Sequence, residues 1–222
     1  MLDYAYDREA AAAYGVVCGT DEAGRGPLAG SVVAAAVVLP PELIIPGLDD
    51  SKKLTEKKRE ALYDVILREA LAYGVAESTA EQIDRTNILA ASLDAMRRAV
   101  EQVKSVVIPG LVLVDGNRET EFGVPCRTVV KGDGISQSIA AASVLAKVTR
   151  DRQMEELDRL YPVYGFAGHK GYPTKAHKLA VYEYGPCPLH RRSFLSFLER
   201  DRDALEKALA EKRGSNPPEE TE

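Results

Sequence analysis

Residues 15–39 read GVVCGTDEAGRGPLAGSVVAAAVVL. Two β-branched, apolar runs, Gly15 to Asp21 and Gly30 to Leu39, flank a glycine-rich turn from Ala23 to Ala29. Such runs, bounded by glycine and proline, are strand signals, and the short turn makes them neighbours in one sheet. Two acids, Asp21 and Glu22, stand directly after the apolar part of the first run. The loop Gly24-Arg25-Gly26-Pro27 that follows has no Gly-Lys-Ser/Thr and joins strand to strand, so it is neither a P-loop nor a dinucleotide fingerprint. Its glycines would let backbone groups approach a ligand closely, and Arg25 could hold a phosphate.

Further along, Thr55 can cap a helix whose apolar stripe is Leu62, Val65, Ile66, Ala70 and Tyr73, ended by Gly74. Val75 to Thr79 reads as a short third strand. A second helix carries Leu89, Leu93, Met96, Val100 and Val103 and stops before Pro109-Gly110. Leu111 to Asp115 is a continuous apolar run closed by an acid, as expected of a strand covered on both faces. Cys126 to Val130 reads as another strand. A third helix starts near Ile135 and continues through Met154 to Tyr161. A shorter one spans Pro173 to Tyr184, and an amphipathic one spans Ser193 to Ala210. Gly214 to Glu222 is a polar, proline-bearing tail expected to lack fixed structure. Strands alternating with helices predict a mixed α/β sheet of about five strands, with helices at the C-terminal end.

The chain has 222 residues, 45% of them hydrophobic and 28% charged, which is ordinary globular usage. No apolar run approaches the roughly 20 residues of a membrane span, and the acidic start, Met1 to Glu9, lacks the order of a signal peptide. Three cysteines, Cys18, Cys126 and Cys187, are too widely spaced for a zinc knuckle or a disulfide framework, and a reducing compartment fits them. A net charge of −5 argues against a nucleic-acid partner. Charge is uneven, however. From Gly168 to Arg192, Lys170, Lys175, Lys178, Arg191 and Arg192 stand against Glu183 alone, among all three histidines of the chain (His169, His177, His190) and three tyrosines. A local basic, aromatic face can hold phosphates on an acidic protein.

Acids at the ends of buried strands lie where open α/β sheets place their ligands. Asp21, Glu22, Asp115 and Asp133 sit on separate elements that can converge, and clustered carboxylates are relieved by a hard cation such as Mg²⁺ or Mn²⁺. Each also has an ordinary reading: Asp133 as a helix cap, Asp115-Gly116 and Asp21-Glu22 as turns. Neighbours on a regular strand point to opposite faces, so Asp21 and Glu22 reach one cluster only if the strand ends or bulges, or if Glu22 acts through its carbonyl or a water.

The segments GTDEAGRGPLAG (19–30), DSKKL (50–54), VLVDGN (112–117), VVKGD (129–133), AASVLAKVTRDR (141–152), HKGYPT (169–174) and HRRSF (190–194) together resemble the ribonuclease HII family. The resemblance runs from Tyr14 to about Leu198. It implies a ribonuclease H-like sheet. Residues 1–198 would form the catalytic domain with its helical substrate-binding part, and 199–222 a helix end and tail. It maps the catalytic, metal-binding acids onto Asp21, Glu22, Asp115 and Asp133. Gly24, Arg25 and Gly26 map onto the motif that reads a ribose 2′-hydroxyl, and Tyr172 onto the tyrosine against the adjacent deoxyribose. Ser51 and Lys52 map onto phosphate contacts. His169, Lys170 and Arg191 match without an assigned role. The implied activity is hydrolysis of the RNA strand of RNA/DNA hybrids, and cutting 5′ of ribonucleotides embedded in duplex DNA. Two Mn²⁺ or Mg²⁺ ions would serve it, leaving 3′-hydroxyl and 5′-phosphate ends. Ribonucleotide removal and primer processing by a cytoplasmic monomer would follow. The residues alone also admit a binding module without catalysis, or a metal-dependent phosphatase or nuclease for another substrate.

Overall fold

A computed structural model describes Leu2 and residues 4–215. The chain runs α1 (Tyr4–Tyr14), β1 (Val17–Ala23), β2 (Val32–Val38), α2 (Glu56–Glu69), β3 (Ala72–Ser78), α3 (Ala80–Arg85), α4 (Ile88–Lys104), β4 (Leu111–Asp115) and β5 (Cys126–Val129). Then follow α5 (Gln137–Leu160), α6 (Phe166–His169), α7 (Lys175–Tyr184), α8 (Phe197–Arg200) and α9 (Arg202–Ser215). The five strands form one sheet in the order β3-β2-β1-β4-β5. β1 is central, antiparallel to β2 and parallel to β4.

Side-chain alternation sends the two faces of the sheet to different helices. Cys18, Ala34, Ala36, Val112 and Val114 pack against Met96, Ala99, Val100 and Val103 of α4. Ala35 and Val37 pack against Ala140 to Ala146 of α5, and Val17, Leu111 and Leu113 against its Ile139. Burial of each Val, Ile or Leu of this kind stabilises by about 1.5–3 kcal/mol. α5 lies very close to β1 because small residues line the contact. A methyl group added at Gly19 would overlap the backbone of Ser138 and Ile139. Backbone cannot swing aside as a flexible side chain can. Gly19→Ala is therefore expected to cost about 3 kcal/mol, the upper part of the overpacking range, read as a lowered urea midpoint with unchanged slope.

Four sequence expectations change. The helix after Thr55 ends at Glu69, and Ala72 and Tyr73 belong to β3. Gly74 is thus no helix cap: a side chain there would strike the Ala99 carbonyl of α4. α1, α3 and the one-turn α6 add to the expected elements. α1 is anchored by Asp7, whose Oδ2 accepts from the Ser138 amide and hydroxyl at the start of α5. The Ser193 to Ala210 helix is broken into a 3₁₀ turn at Arg192–Phe194, then α8 and α9. Asp84 accepts from the Arg192 amide and from the Ser193 amide and hydroxyl and so fixes the entry to this region. Finally, α9 takes in Gly214 and Ser215, and the rest of the expected polar tail lies outside the described residues. No helix among the described residues is long and apolar enough to cross a membrane.

Candidate active site

β1 and β4 run parallel in register, Thr20 beside Val114, so Asp21 and Asp115 come one step later at the same level. Both lie on the face that meets α5. Asp133 reaches them from a 3₁₀ turn, Gly132–Gly134, entered through Lys131 in the left-handed conformation (φ 57°). The Gly132 amide donates to Asp115 Oδ1 at 2.7 Å, tying this turn to the end of β4. The cap of α5 is Ser136, whose hydroxyl accepts from the Ile139 amide, so Asp133 is free of that duty. One carboxylate oxygen from each of Asp21, Asp115 and Asp133 lies within 4.8 Å of the others.

Glu22 stands differently. β1 neither ends nor bulges at Asp21, because pairing with β2 continues through Glu22 and Ala23. Alternation therefore turns Glu22 away from the group of three. Its carboxylate forms one wall of the same cleft and pairs with Arg25 at 3.2 Å.

The carboxylates are held at an electrostatic cost. Burial, then the charges of Glu22 and Asp115, push the Asp21 pKa well above its ordinary value. Burial raises Glu22, with Arg25 opposing. Burial and Asp115 raise Asp133, and Lys52, 3.2 Å away, offsets part of this. Buried, converging, hard oxygen donors with raised proton affinity are what a divalent cation relieves, so the donor set fits Mg²⁺ or Mn²⁺.

A cleft of about 300 Å³ gathers Asp21, Glu22, Asp115, the loop Gly24 to Gly26, Ser51, Lys52 and Tyr172. The structure thus brings the expected substrate-side residues to the rim of the carboxylate group. The DSKKL loop is fastened from below: Ser51 Oγ lies 2.8 Å from Ser143 Oγ, and Arg59 donates to the Ser51 and Leu54 carbonyls. Tyr172 is 42% exposed, and its ring edge passes beside Gly26.

Three residues of this site lie within the sequence motifs, yet the sequence assigns them no role. Ser143 sits on α5, lines the cleft with Asp21 and favours its charged form. Arg150, 1% exposed, donates to the carbonyls of Ser31, Lys170 and Ala29, and leaves no room for a side chain at Gly24 (φ +97°). Arg191, fully buried, donates to the carbonyls of Gly24, Arg25 and Gly30. The two guanidiniums hold the glycine loop from beneath. Their acceptors are 119 to 167 residues away in sequence, apart from Lys170, so spacing gave no signal for them.

The basic face expected over Gly168 to Arg192 is only partly at the surface. His177, His190 and Arg191 are at most 2% exposed. Lys170 is paired with Glu155, and Lys178 with Asp201. Tyr172, Lys175 and Arg192 remain outward. Part of what looked like a charged surface, Arg191 with His177 and His190, is a polar interior supporting the glycine loop and Tyr172.

A family model described as Ribonuclease HII matches residues 18–197. The chain is similar to ribonuclease HII of Shewanella amazonensis, with 59% identity over 180 residues, 81% of this chain and 86% of that protein. It is similar to ribonuclease HII of Dechloromonas aromatica, also 59% identical over 180 residues, covering 81% and 91%. Among solved structures it is similar to the ribonuclease H2 from Pyrococcus horikoshii: TM-score 0.69, 26% identity, 86% of this chain and 99% of that one. The mixed five-stranded sheet is the ribonuclease H-like fold of these neighbours. Matches of this length and identity support one conclusion: the chain belongs to the ribonuclease HII family of metal-dependent endonucleases.

Proposed function

We propose that the protein cuts the RNA strand of RNA/DNA hybrids and cuts DNA duplexes on the 5′ side of an embedded ribonucleotide. The observation that carries this reading is the position of the three converging carboxylates. Two of them, Asp21 and Asp115, line a cleft that also takes in the Gly24 to Gly26 loop and Tyr172, and Asp133 converges on both.

Asp21, Asp115 and Asp133 would hold two Mn²⁺ or Mg²⁺ ions, with Glu22 completing the site from the cleft wall. When bound, such ions would supply an acidified water and offset charge on the phosphate, so no histidine base is needed, and breaking the bond from phosphorus to the 3′-oxygen would leave 3′-hydroxyl and 5′-phosphate ends. The chain itself supplies recognition. With the carbonyls of Gly24 and Arg25 turned to Arg191, the amides of the loop are left to meet a ribose 2′-hydroxyl, the group that separates RNA from DNA. Tyr172 offers its exposed ring to the deoxyribose next in line. Lys52, Ser51 and Arg25 face the phosphates. We assign residues 1–198 to the catalytic domain, with α9 and the tail as its extension. The protein would act as a cytoplasmic monomer in ribonucleotide removal and primer processing, in keeping with three free cysteines.

A labelled DNA duplex carrying one ribonucleotide, with and without EDTA, tests the reading. Metal-dependent cutting 5′ of the ribonucleotide is the expected result. Binding without cutting would make the protein a non-catalytic module, and equal cutting of all-DNA would remove the assigned 2′-hydroxyl contact.

A further inference from the structure

All three histidines of the chain lie in one cluster beneath Tyr172, and the proposed chemistry uses none of them. His177 and His169 rings are stacked, 4.3 Å apart, and Phe166 packs edge-on against both. Hydrogen bonding fixes where each proton sits. The Cys187 amide donates to His190 Nδ1 at 3.1 Å, so this nitrogen carries a lone pair and the proton is on Nε2. His190 Nε2 lies 3.1 Å from His177 Nε2 and donates to it. The His177 proton is then on Nδ1, 3.0 Å from the Tyr172 carbonyl, which can only accept. The two ends of the chain of bonds, an amide that only donates and a carbonyl that only accepts, demand the same tautomers. An added proton on either ring would set two donors face to face. Burial acts in the same direction and lowers both pKa values to about 4. His169 is fixed in the same way: it accepts from the Gly171 amide and donates to the Tyr164 carbonyl, while its own carbonyl accepts from the Tyr172 amide.

Tyr172 has an exposed ring but a backbone gripped from below. Its carbonyl accepts from His177 Nδ1 and from the Thr174 amide, and the preceding Gly171 carbonyl accepts from the Leu28 amide of the glycine-loop segment. We infer that His190 and His177 form a neutral relay that positions Tyr172 against the glycine loop, setting how well the enzyme engages a ribose–deoxyribose step. They are positioning residues and touch no substrate. The inference rests on the reading of Tyr172 as a substrate contact.

The test is a double-mutant cycle on a duplex with a single ribonucleotide, with KM and kcat measured separately and thermal melting recorded for each variant. His177→Leu is expected to raise KM by about tenfold, the order that sub-ångström misplacement causes, with kcat changed less than about twofold. His177→Asn, whose amide nitrogen can occupy the place of Nδ1 and donate to the Tyr172 carbonyl, restores KM. In a Tyr172→Ala background His177→Leu adds nothing further, because its only route to substrate is already gone. Should His177→Leu lose its melting transition, His190→Asn serves in its place. It keeps an acceptor for the Cys187 amide but cuts the link to His177, and the same KM-only change is expected. Wild-type KM in His177→Leu while Tyr172→Ala is impaired, full additivity of the two, or failure of His177→Asn to rescue would each overturn the relay. Wild-type KM in Tyr172→Ala would instead overturn the substrate role given to Tyr172.

Discussion

Asp21→Asn and Asp115→Asn are each expected to abolish cleavage, lowering kcat by at least about a thousandfold, while the protein stays folded. That factor corresponds to about 4 kcal/mol of transition-state stabilisation, the scale of the charge compensation a bound metal supplies. The fold should survive because asparagine keeps the oxygen that each site uses. Asp21 Oδ1 accepts from the Glu22 amide and Asp115 Oδ1 from the Gly132 amide, both at 2.7 Å. Without metal, Asp21→Asn should be more stable than the wild type at neutral pH. Asp21 has a raised folded-state pKa. The unfolded chain therefore releases that proton first, and metal-free wild type loses stability as pH rises above the unfolded value of about 4. Asparagine removes this loss. Adding Mn²⁺ should raise the melting temperature of wild type and have a smaller effect on either variant. Near-normal turnover by either variant would show that the carboxylates have been given the wrong role.

Much of this site is legible in the sequence, and the reasons differ between residues. Asp21 and Asp115 can be read because an acid ending an apolar strand is conspicuous, and parallel pairing of the two central strands then puts them side by side. Asp133 could equally have been a cap. Ser136, three residues later, decides the matter by taking that role itself. Glu22 poses the one geometric question that strand alternation raises, and the unbroken β1–β2 pairing answers it by turning Glu22 to the cleft wall. The glycines mislead where their reason is tertiary. Gly74 looks like the end of a helix, yet what it accommodates is the Ala99 carbonyl of α4, reached only after the chain folds back. The basic stretch misleads for the same cause. Composition counts Arg191 and the histidines as surface charge, whereas the distant Gly24, Arg25 and Gly30 carbonyls draw Arg191 inside, and the histidines are held there by one another and by near neighbours such as the Tyr172 carbonyl.

Arg191→Met is the converse case: it should damage stability and substrate engagement together, with kcat least affected. The guanidinium is fully buried. Among the described residues no carboxylate bonds it directly, and it is satisfied by the Gly24, Arg25 and Gly30 carbonyls. Methionine fills similar volume but donates nothing, leaving three buried or half-buried acceptors to find other partners. An unsatisfied buried polar group costs about 1–3 kcal/mol. With partial relief by water the total should be about 3–5 kcal/mol, a drop of about 10 °C in melting temperature for a chain of this size. The surviving protein should show a raised KM, because the carbonyls of Gly24 and Arg25 no longer face inward and the loop amides lose their fixed aim. Arg25→Ala separates the two effects. Its side chain is half exposed and, among the described residues, pairs only with Glu22, so removal should leave the melting temperature within about 2 °C and weaken binding chiefly at low salt. If Arg191→Met melted like wild type and kept its KM, the glycine loop would owe its shape to the sheet alone, and Arg191 would not be its support.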